Sequence, residues 1–282
     1  VGFQAPGYHR AGALRQMDVT KVGLSGAGRE CWHGRMRLAL LSDIHANLPA
    51  LEACLAAAQA LGAERLVFLG DFVGYGPDPE AVVRRVQPLI AAGAIGILGN
   101  HDAATFQSDG SMNSMAAAAI AWTRQQLSPD SIDFLKSLPM EVNDGAHMFV
   151  HADASNPSAW NYVTDPEMAG RSLAAVKANV TFCGHVHKPA LYCVTHAGGK
   201  VTAHIPSSDI SIPLAAHRQW LAVLGAVGQP RDGNPAASFA IFNPAVRSLT
   251  YHRAPYDVED VARRVLDAGL PESLAARLLK GR

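Results

Sequence analysis

Arg37-Leu38-Ala39-Leu40-Leu41-Ser42-Asp43-Ile44-His45 runs from an apolar stretch straight into a carboxylate and an imidazole two positions apart. A short apolar run of this kind reads as a buried strand, with Asp43 and His45 just beyond its end. The arrangement returns. Leu66-Val67-Phe68-Leu69 leads to Gly70-Asp71, Ile95-Gly96-Ile97-Leu98 to Gly99-Asn100-His101-Asp102, and Val180-Thr181-Phe182-Cys183 to Gly184-His185-Val186-His187. In Ala146-His147-Met148-Phe149-Val150-His151 the strand-end residue is His151, whereas His147 falls inside the run. Apolar strands alternating with helical stretches predict α/β sheets covered on both sides, and in such sheets ligands collect beyond the carboxyl ends of the strands. All of these polar groups fall at that end.

Their chemistry is that of a dinuclear metal centre. Carboxylates, imidazoles and one amide suit Mn, Fe or Zn, whereas Ca and Mg sites are built from oxygen. Asp71, placed after a strand expected to be central, is read as the bridging carboxylate, one oxygen to each ion. Asp43, His45 and His187 complete one site; Asn100, His151 and His185 complete the other. Two ions roughly 3.5–4 Å apart lower the pKa of a shared water and stabilise both oxygens of an in-line displacement. The expected reaction is therefore hydrolysis at phosphorus, with a bridging hydroxide rather than a side chain as nucleophile. His101 is spare, so it can face the phosphate and stabilise its charge or protonate the leaving oxygen. Asp102 stands next to it to orient it.

The ordered set Asp-x-His, Gly-Asp, Gly-Asn-His-Asp, lone His and Gly-His-x-His resembles the calcineurin-like metallophosphoesterases, over about Met36 to Tyr256. Within that superfamily the chain is most similar to the small bacterial and archaeal phosphodiesterase-like branch. Ser42-Asp43-Ile44-His45-Ala46-Asn47-Leu48-Pro49, Gly70-Asp71-Phe72-Val73-Gly74-Tyr75-Gly76-Pro77 and Gly228-Gln229-Pro230-Arg231-Asp232-Gly233 carry that likeness. The resemblance implies a four-layer α/β/β/α sandwich with two mixed sheets, and two divalent ions, Mn first, with Fe, Zn or Ni as alternatives. It implies a hydrolase of small phosphodiesters or phosphomonoesters. Dinucleoside polyphosphate hydrolase and protein Ser/Thr phosphatase are alternatives, and a non-catalytic scaffold of the same fold is the rival of another class. Two departures bear on the substrate. Protein phosphatases and symmetrical tetraphosphatases carry a phosphate-gripping arginine in Gly-Asp-x-Val-x-Arg-Gly, where this chain has Val73-Gly74-Tyr75-Gly76; glycine and tyrosine do not replace a bidentate guanidinium. Relatives often carry Asn-Pro-Gly-Ser where this chain has Val223-Leu224-Gly225-Ala226. Tyr75, to stack on a base or bond a phosphate, and Arg231, to recover phosphate binding, are the candidate substrate contacts.

Composition narrows the partners. With 282 residues, 49% hydrophobic and 17% charged, the chain can bury a substantial core, and its formal net charge of zero leaves no electrostatic footprint for nucleic acid. No apolar run reaches the roughly 18 residues of a membrane span, and no signal-peptide pattern opens the chain, so a cytoplasmic protein acting on a small phosphate ester is expected. Cys31, Cys54, Cys183 and Cys193 show no Cys-x-x-Cys spacing and read as packing thiols, with Cys183 and Cys193 on neighbouring strands. His9, His33, His147, His196, His204, His217 and His252 read as structural or exposed.

Three regions are expected. Residues 1–35 are glycine-rich, carry five cations against two anions and read as a disordered extension ahead of Met36, a partner-binding arm being the rival reading. Residues 36–256 form the metallophosphoesterase domain, and residues 257–282 a C-terminal helical extension. Within the domain, Asn47 caps a helix, Asp78-Pro79-Glu80 opens another, and an alanine-rich helix over Ser111 to Gln126 precedes a shorter one from Ser128-Pro129-Asp130 to Ser137. The insertion from Asp102 to Met140 is expected to wall the substrate pocket. Five short strands, Leu191–Thr195, Lys200–His204, Trp220–Leu224, Ser238–Phe242 and Ser248–Arg253, read as the second sheet. The amphipathic helices from Asp257 to Ala268 and Pro271 to Leu279 pack on its outer side or extend over a neighbouring subunit, which would make a homo-oligomer.

Overall fold

The computed structural model describes residues 36–107, 112–195 and 199–282; the expectation for residues 1–35 lies outside them. Two six-stranded mixed sheets face each other. The first has the order β3-β2-β1-β11-β12-β9, from Ile95–Gly96 (β3), Arg65–Phe68 (β2), Leu38–Leu41 (β1), Ala237–Asn243 (β11), Ser248–Ala254 (β12) and Ser211–Pro213 (β9). The second has the order β4-β5-β6-β10-β7-β8, from Glu141–Asn143 (β4), His147–Val150 (β5), Val180–Cys183 (β6), Arg218–Val223 (β10), Ala190–Thr195 (β7) and Thr202–His204 (β8).

The late strands are therefore shared out, correcting the expectation that they form the second sheet alone. β10, β7 and β8 join β6, while β11 pairs antiparallel with β1 and β12 extends that edge. β9 was not anticipated. β2 lies one strand from the end of its sheet, so Asp71 does not follow a central strand. β10 lies between β6 and β7, which keeps Cys183 and Cys193 off adjacent strands; both are free thiols, as is Cys54.

Strand alternation builds three apolar layers. Leu38 and Leu40 of β1 meet Phe149, Phe182 and Ala222 of the other sheet. Ala39 and Leu41 point the other way, onto helices Leu48–Ala60 (α1) and Pro79–Ala91 (α2). In the second sheet Met148, Val150, Leu221 and Val223 face Ala169 and Leu173 of the later helix Pro166–Ala174. The result is the α/β/β/α sandwich.

Capping sets where the helices begin. The Asn47 side chain accepts from Ala50 N at 3.1 Å and opens α1. Between α2 and α6 (Pro166–Ala174) lie Asn100–Ala103 (α3), Ser114–Gln126 (α4) and Pro129–Lys136 (α5). α4 starts at Ser114 because Asn113 caps it; the expected Ser111 start lies outside the described residues. Val258–Asp267 (α7) and Glu272–Lys280 (α8) end the chain. Their apolar stripe, Val261, Val265, Leu274 and Leu278, packs on Ala116 and Ala119 of α4 and on Tyr75, not on the outer side of the second sheet. Among the described residues no helix is long and apolar enough to cross a membrane.

Candidate metal centre

The loops that leave β1, β2, β5 and β6 converge. Asp43 N donates to Gly70 O at 3.1 Å, His45 N to Asp71 O at 2.8 Å, and Gly184 N to His151 O at 2.8 Å. The chain turns sharply to make these contacts: Asp43, His45, Asp71, His185 and His187 have φ of 55, 47, 54, 66 and 63°. For non-glycine residues that left-handed region is uncommon and costs energy, though His and Asp enter it more readily than most. Such outliers persist where the surrounding structure over-determines them, and they gather at functional sites.

Three imidazoles have their Nδ1 fixed. His45 Nδ1 lies 3.2 Å from Val73 O, His151 Nδ1 2.7 Å from Leu69 O, and His187 Nδ1 2.7 Å from Gln229 O. A carbonyl can only accept, so each Nδ1 carries the proton, and in its neutral form each ring turns an Nε2 lone pair inward. There the acceptors crowd. His45 Nε2 is 3.1 Å from His187 Nε2, which is 3.2 Å from Asp43 Oδ1. His151 Nε2 is 3.1 Å from His185 Nδ1 and 3.2 Å from Asn100 Oδ1. Facing lone pairs beside buried carboxylates are unfavourable unless a cation sits among them.

Three groups of described residues could hold such cations, each with ligand atoms within 4.8 Å of one another: Asp43, His45 and His187; His45, Asp71 and His101; and Asp71, His151 and His185. The first and last match the two sites expected from the sequence. Asp71 faces both. Its Oδ2 lies 3.6 Å from His45 Nε2 and 3.4 Å from His151 Nε2, while Oδ1 accepts from His101 N at 2.8 Å. A single oxygen thus looks at both groups, not one oxygen at each as the sequence suggested.

Charge behaves accordingly. Against burial, interaction with His187 holds the Asp43 carboxyl below the ordinary range, and interaction with His151 does the same for Asp71. Burial, then the His151 charge, lowers His185 to about 3. His151 goes the other way: against burial the Asp71 charge pushes it up to about 9. The Asp71 charge thus favours a positive charge beside it, at His151.

His101 borders this centre without an assigned partner. Its ring is 4.8 Å from that of His45 and 4.4 Å from that of Tyr75, its Nδ1 is buried with no hydrogen-bond partner among the described residues, and burial lowers its pKa to about 4. Asp102 does not orient it. The Asp102 carboxylate accepts from Gly99 N at 3.0 Å and from Val73 N at 3.1 Å, which closes the first turn of α3 and ties it to the loop after Asp71. Asp102→Ala should orphan both donors at about 1–3 kcal/mol each, a loss read by urea unfolding. Lost turnover at unchanged stability would return Asp102 to the service of His101.

Tyr75 is buried beneath α4, α7 and α8, with Arg231 Cζ 5.8 Å from its ring centroid. Two aromatics escaped the sequence reading. Tyr162, 49% exposed, stacks on His185 at 4.1 Å, and Trp160 meets His151 edge-on at 5.8 Å. Both follow His151 in an irregular stretch with no periodicity to signal them. His147 turns away to Asp144 at 2.9 Å.

Comparison with known proteins bears on the family and the fold. An uncharacterized protein of Methanocaldococcus jannaschii is 32% identical over 251 residues, 87% of this chain and 98% of its own length. A metallophosphoesterase from Sphaerobacter thermophilus is similar in structure, with a TM-score of 0.77 and 36% identity over 88% of this chain and 100% of that one. A hypothetical protein from Pyrococcus horikoshii OT3 shares the fold, with a TM-score of 0.70 and 19% identity over 87% of this chain and 98% of that one. The calcineurin-like phosphoesterase superfamily domain matches residues 36–245, and with the sandwich and its strand-end Asp/His groups this places the chain: it belongs to the calcineurin-like phosphoesterase superfamily.

Proposed function

We propose that the protein hydrolyses small phosphate esters with two divalent ions, one held by Asp43, His45, Asp71 and His187 and the other by Asp71, Asn100, His151 and His185. The observation that carries this reading is that His45 and His151 turn Nε2 to Asp71 Oδ2 and His187 turns Nε2 to Asp43 Oδ1, each ring fixed from behind by a backbone carbonyl. Imidazole favours Fe, Zn or Ni and carboxylate favours Mn, so this mixed set suits any of the four, and Mn is the ion we propose first. When bound, such a pair lowers the pKa of a water and offsets phosphoryl charge. The chain's own residues do the rest. His101, whose Nδ1 lacks a partner, bonds the phosphoryl or leaving oxygen, and Asp102 keeps the His101 turn against Val73.

A protein-phosphatase reading is disfavoured by the stretch after Asp71. The ring of His101 fills the space there: a Cβ on Gly74 would lie 2.4 Å from His101 Nδ1, and the next residue is Tyr75 rather than an arginine. A scaffold without activity would have no need of the complete donor set. The test is direct. Chelated protein should lose turnover of bis-p-nitrophenyl phosphate or p-nitrophenyl phosphate, and Mn should restore it; full turnover by protein verified metal-free would refute the proposal.

A further inference from the structure

Three buried polar atoms near the centre lack hydrogen-bond partners among the described residues, Ser42 Oγ, His101 Nδ1 and Arg231 Nε, and the side chains of the last two lie against Tyr75. His101 already has a place in the proposed chemistry. Arg231 does not.

Its guanidinium is held in place. Arg231 N donates to His187 O at 3.1 Å, and Arg231 Nη2 donates to the side-chain oxygen of the buried Gln229 at 3.2 Å. The Gln229 carbonyl is also the acceptor that fixes His187 Nδ1, so the same short segment sets both the imidazole and the guanidinium. Beyond it, Gly233 N donates to Gly281 O at 2.8 Å and Asp232 pairs with Arg253, which anchors the loop to the end of α8 and to β12. The positive charge of Arg231 is felt at Tyr75 and at His101.

A guanidinium takes an oxyanion side-on through its Nε–H and a neighbouring Nη–H. Here the Nε–H is buried without an acceptor among the described residues, an uncommon state in native structures that an incoming oxyanion would relieve. We propose that Arg231 is a substrate contact that binds a phosphate oxygen through this edge, and that it favours phosphomonoesters and terminal phosphates over phosphodiesters. The inference rests on the hydrolase reading above. A diester has two non-bridging oxygens and one negative charge. A monoester has three and carries up to two charges, so it could give two oxygens to the ions that the Asp/His groups would hold and still offer one to Arg231.

The experiment compares wild type, Arg231→Gln and Arg231→Lys, all loaded with Mn. It measures metal content, binding of inorganic phosphate by calorimetry, and kcat/KM for p-nitrophenyl phosphate and bis-p-nitrophenyl phosphate. Arg231→Gln should keep its metal, bind phosphate about 10–100-fold more weakly and lose a similar factor in monoester kcat/KM, the worth of a charged hydrogen bond. Diester kcat/KM should change by less than about threefold. Lysine should recover only part, having no side-on edge. Unchanged phosphate binding, equal losses for both esters, or loss of metal from Arg231→Gln would each overturn the proposal. Wild type that turns over neither ester would refute the hydrolase reading, while the phosphate titration would still decide whether Arg231 binds the anion.

Discussion

Asp71→Asn should empty the centre of metal and lower turnover about 10³-fold or more, while the metal-free protein keeps its stability. A unit charge at about 4 Å is worth about 4 kcal/mol in an environment of effective dielectric 20, about a thousandfold in affinity or rate, and Asp71 would face two divalent ions. Geometry adds to the charge. Oδ1 accepts from His101 N at 2.8 Å, so the asparagine carbonyl takes that place and its NH2 points at His45 Nε2 and His151 Nε2. A donor then stands where a ligand oxygen is needed, and it pairs with the inward lone pairs when no metal is present. Asn100→Ala removes only a neutral amide beside one group and should cost far less. Metal analysis, turnover and a melt of chelated protein check the three parts; an Asp71→Asn protein retaining two metals at near-normal rate would overturn the shared-oxygen assignment.

Gly184→Ala should damage both fold and site. A Cβ there would lie 1.8 Å from Ser42 Oγ, 2.8 Å from Ser42 Cβ and 2.6 Å from Asp43 Oδ2. Overpacking of this kind costs about 1–3 kcal/mol, sometimes more, and the Asp43 carboxylate cannot yield without leaving His185 N, 3.0 Å from its Oδ2. Adding Ser42→Gly removes the Ser42 atoms, one of which, Oγ, is buried and unpartnered. The double variant should regain melting temperature and still bind metal poorly, because the Asp43 contact remains. A single variant with wild-type stability and metal content would show that the loops after β1 and β6 do not touch so closely.

The strand ends were legible because a short apolar run followed by Asp, His or Asn carries both signals locally: Leu38–Leu41 announces the strand and Asp43 the ligand. Sheet membership is not local. Trp220–Val223 and Phe239–Phe242 are equally buried, and only partners far along the chain, Val180–Cys183 for the first and Leu38–Leu40 for the second, separate them. Asp102 was misassigned for a related reason. Adjacency to His101 suggested a pair, but a helical turn throws neighbouring side chains apart, and the carboxylate folds back onto Gly99 N. The stripe of α7 and α8 could be read; the Tyr75 that it covers could not.

Placing β11 between β1 and β12 also governs the order in which the molecule can assemble. The first strand lacks one of its neighbours until Ala237–Asn243 has left the ribosome, and β10 must close the second sheet beforehand. Contacts so distant in sequence slow folding and leave apolar edges open to aggregation meanwhile. Chains cut before Asn243 should therefore be recovered as chaperone clients or inclusion bodies rather than as smaller folded domains.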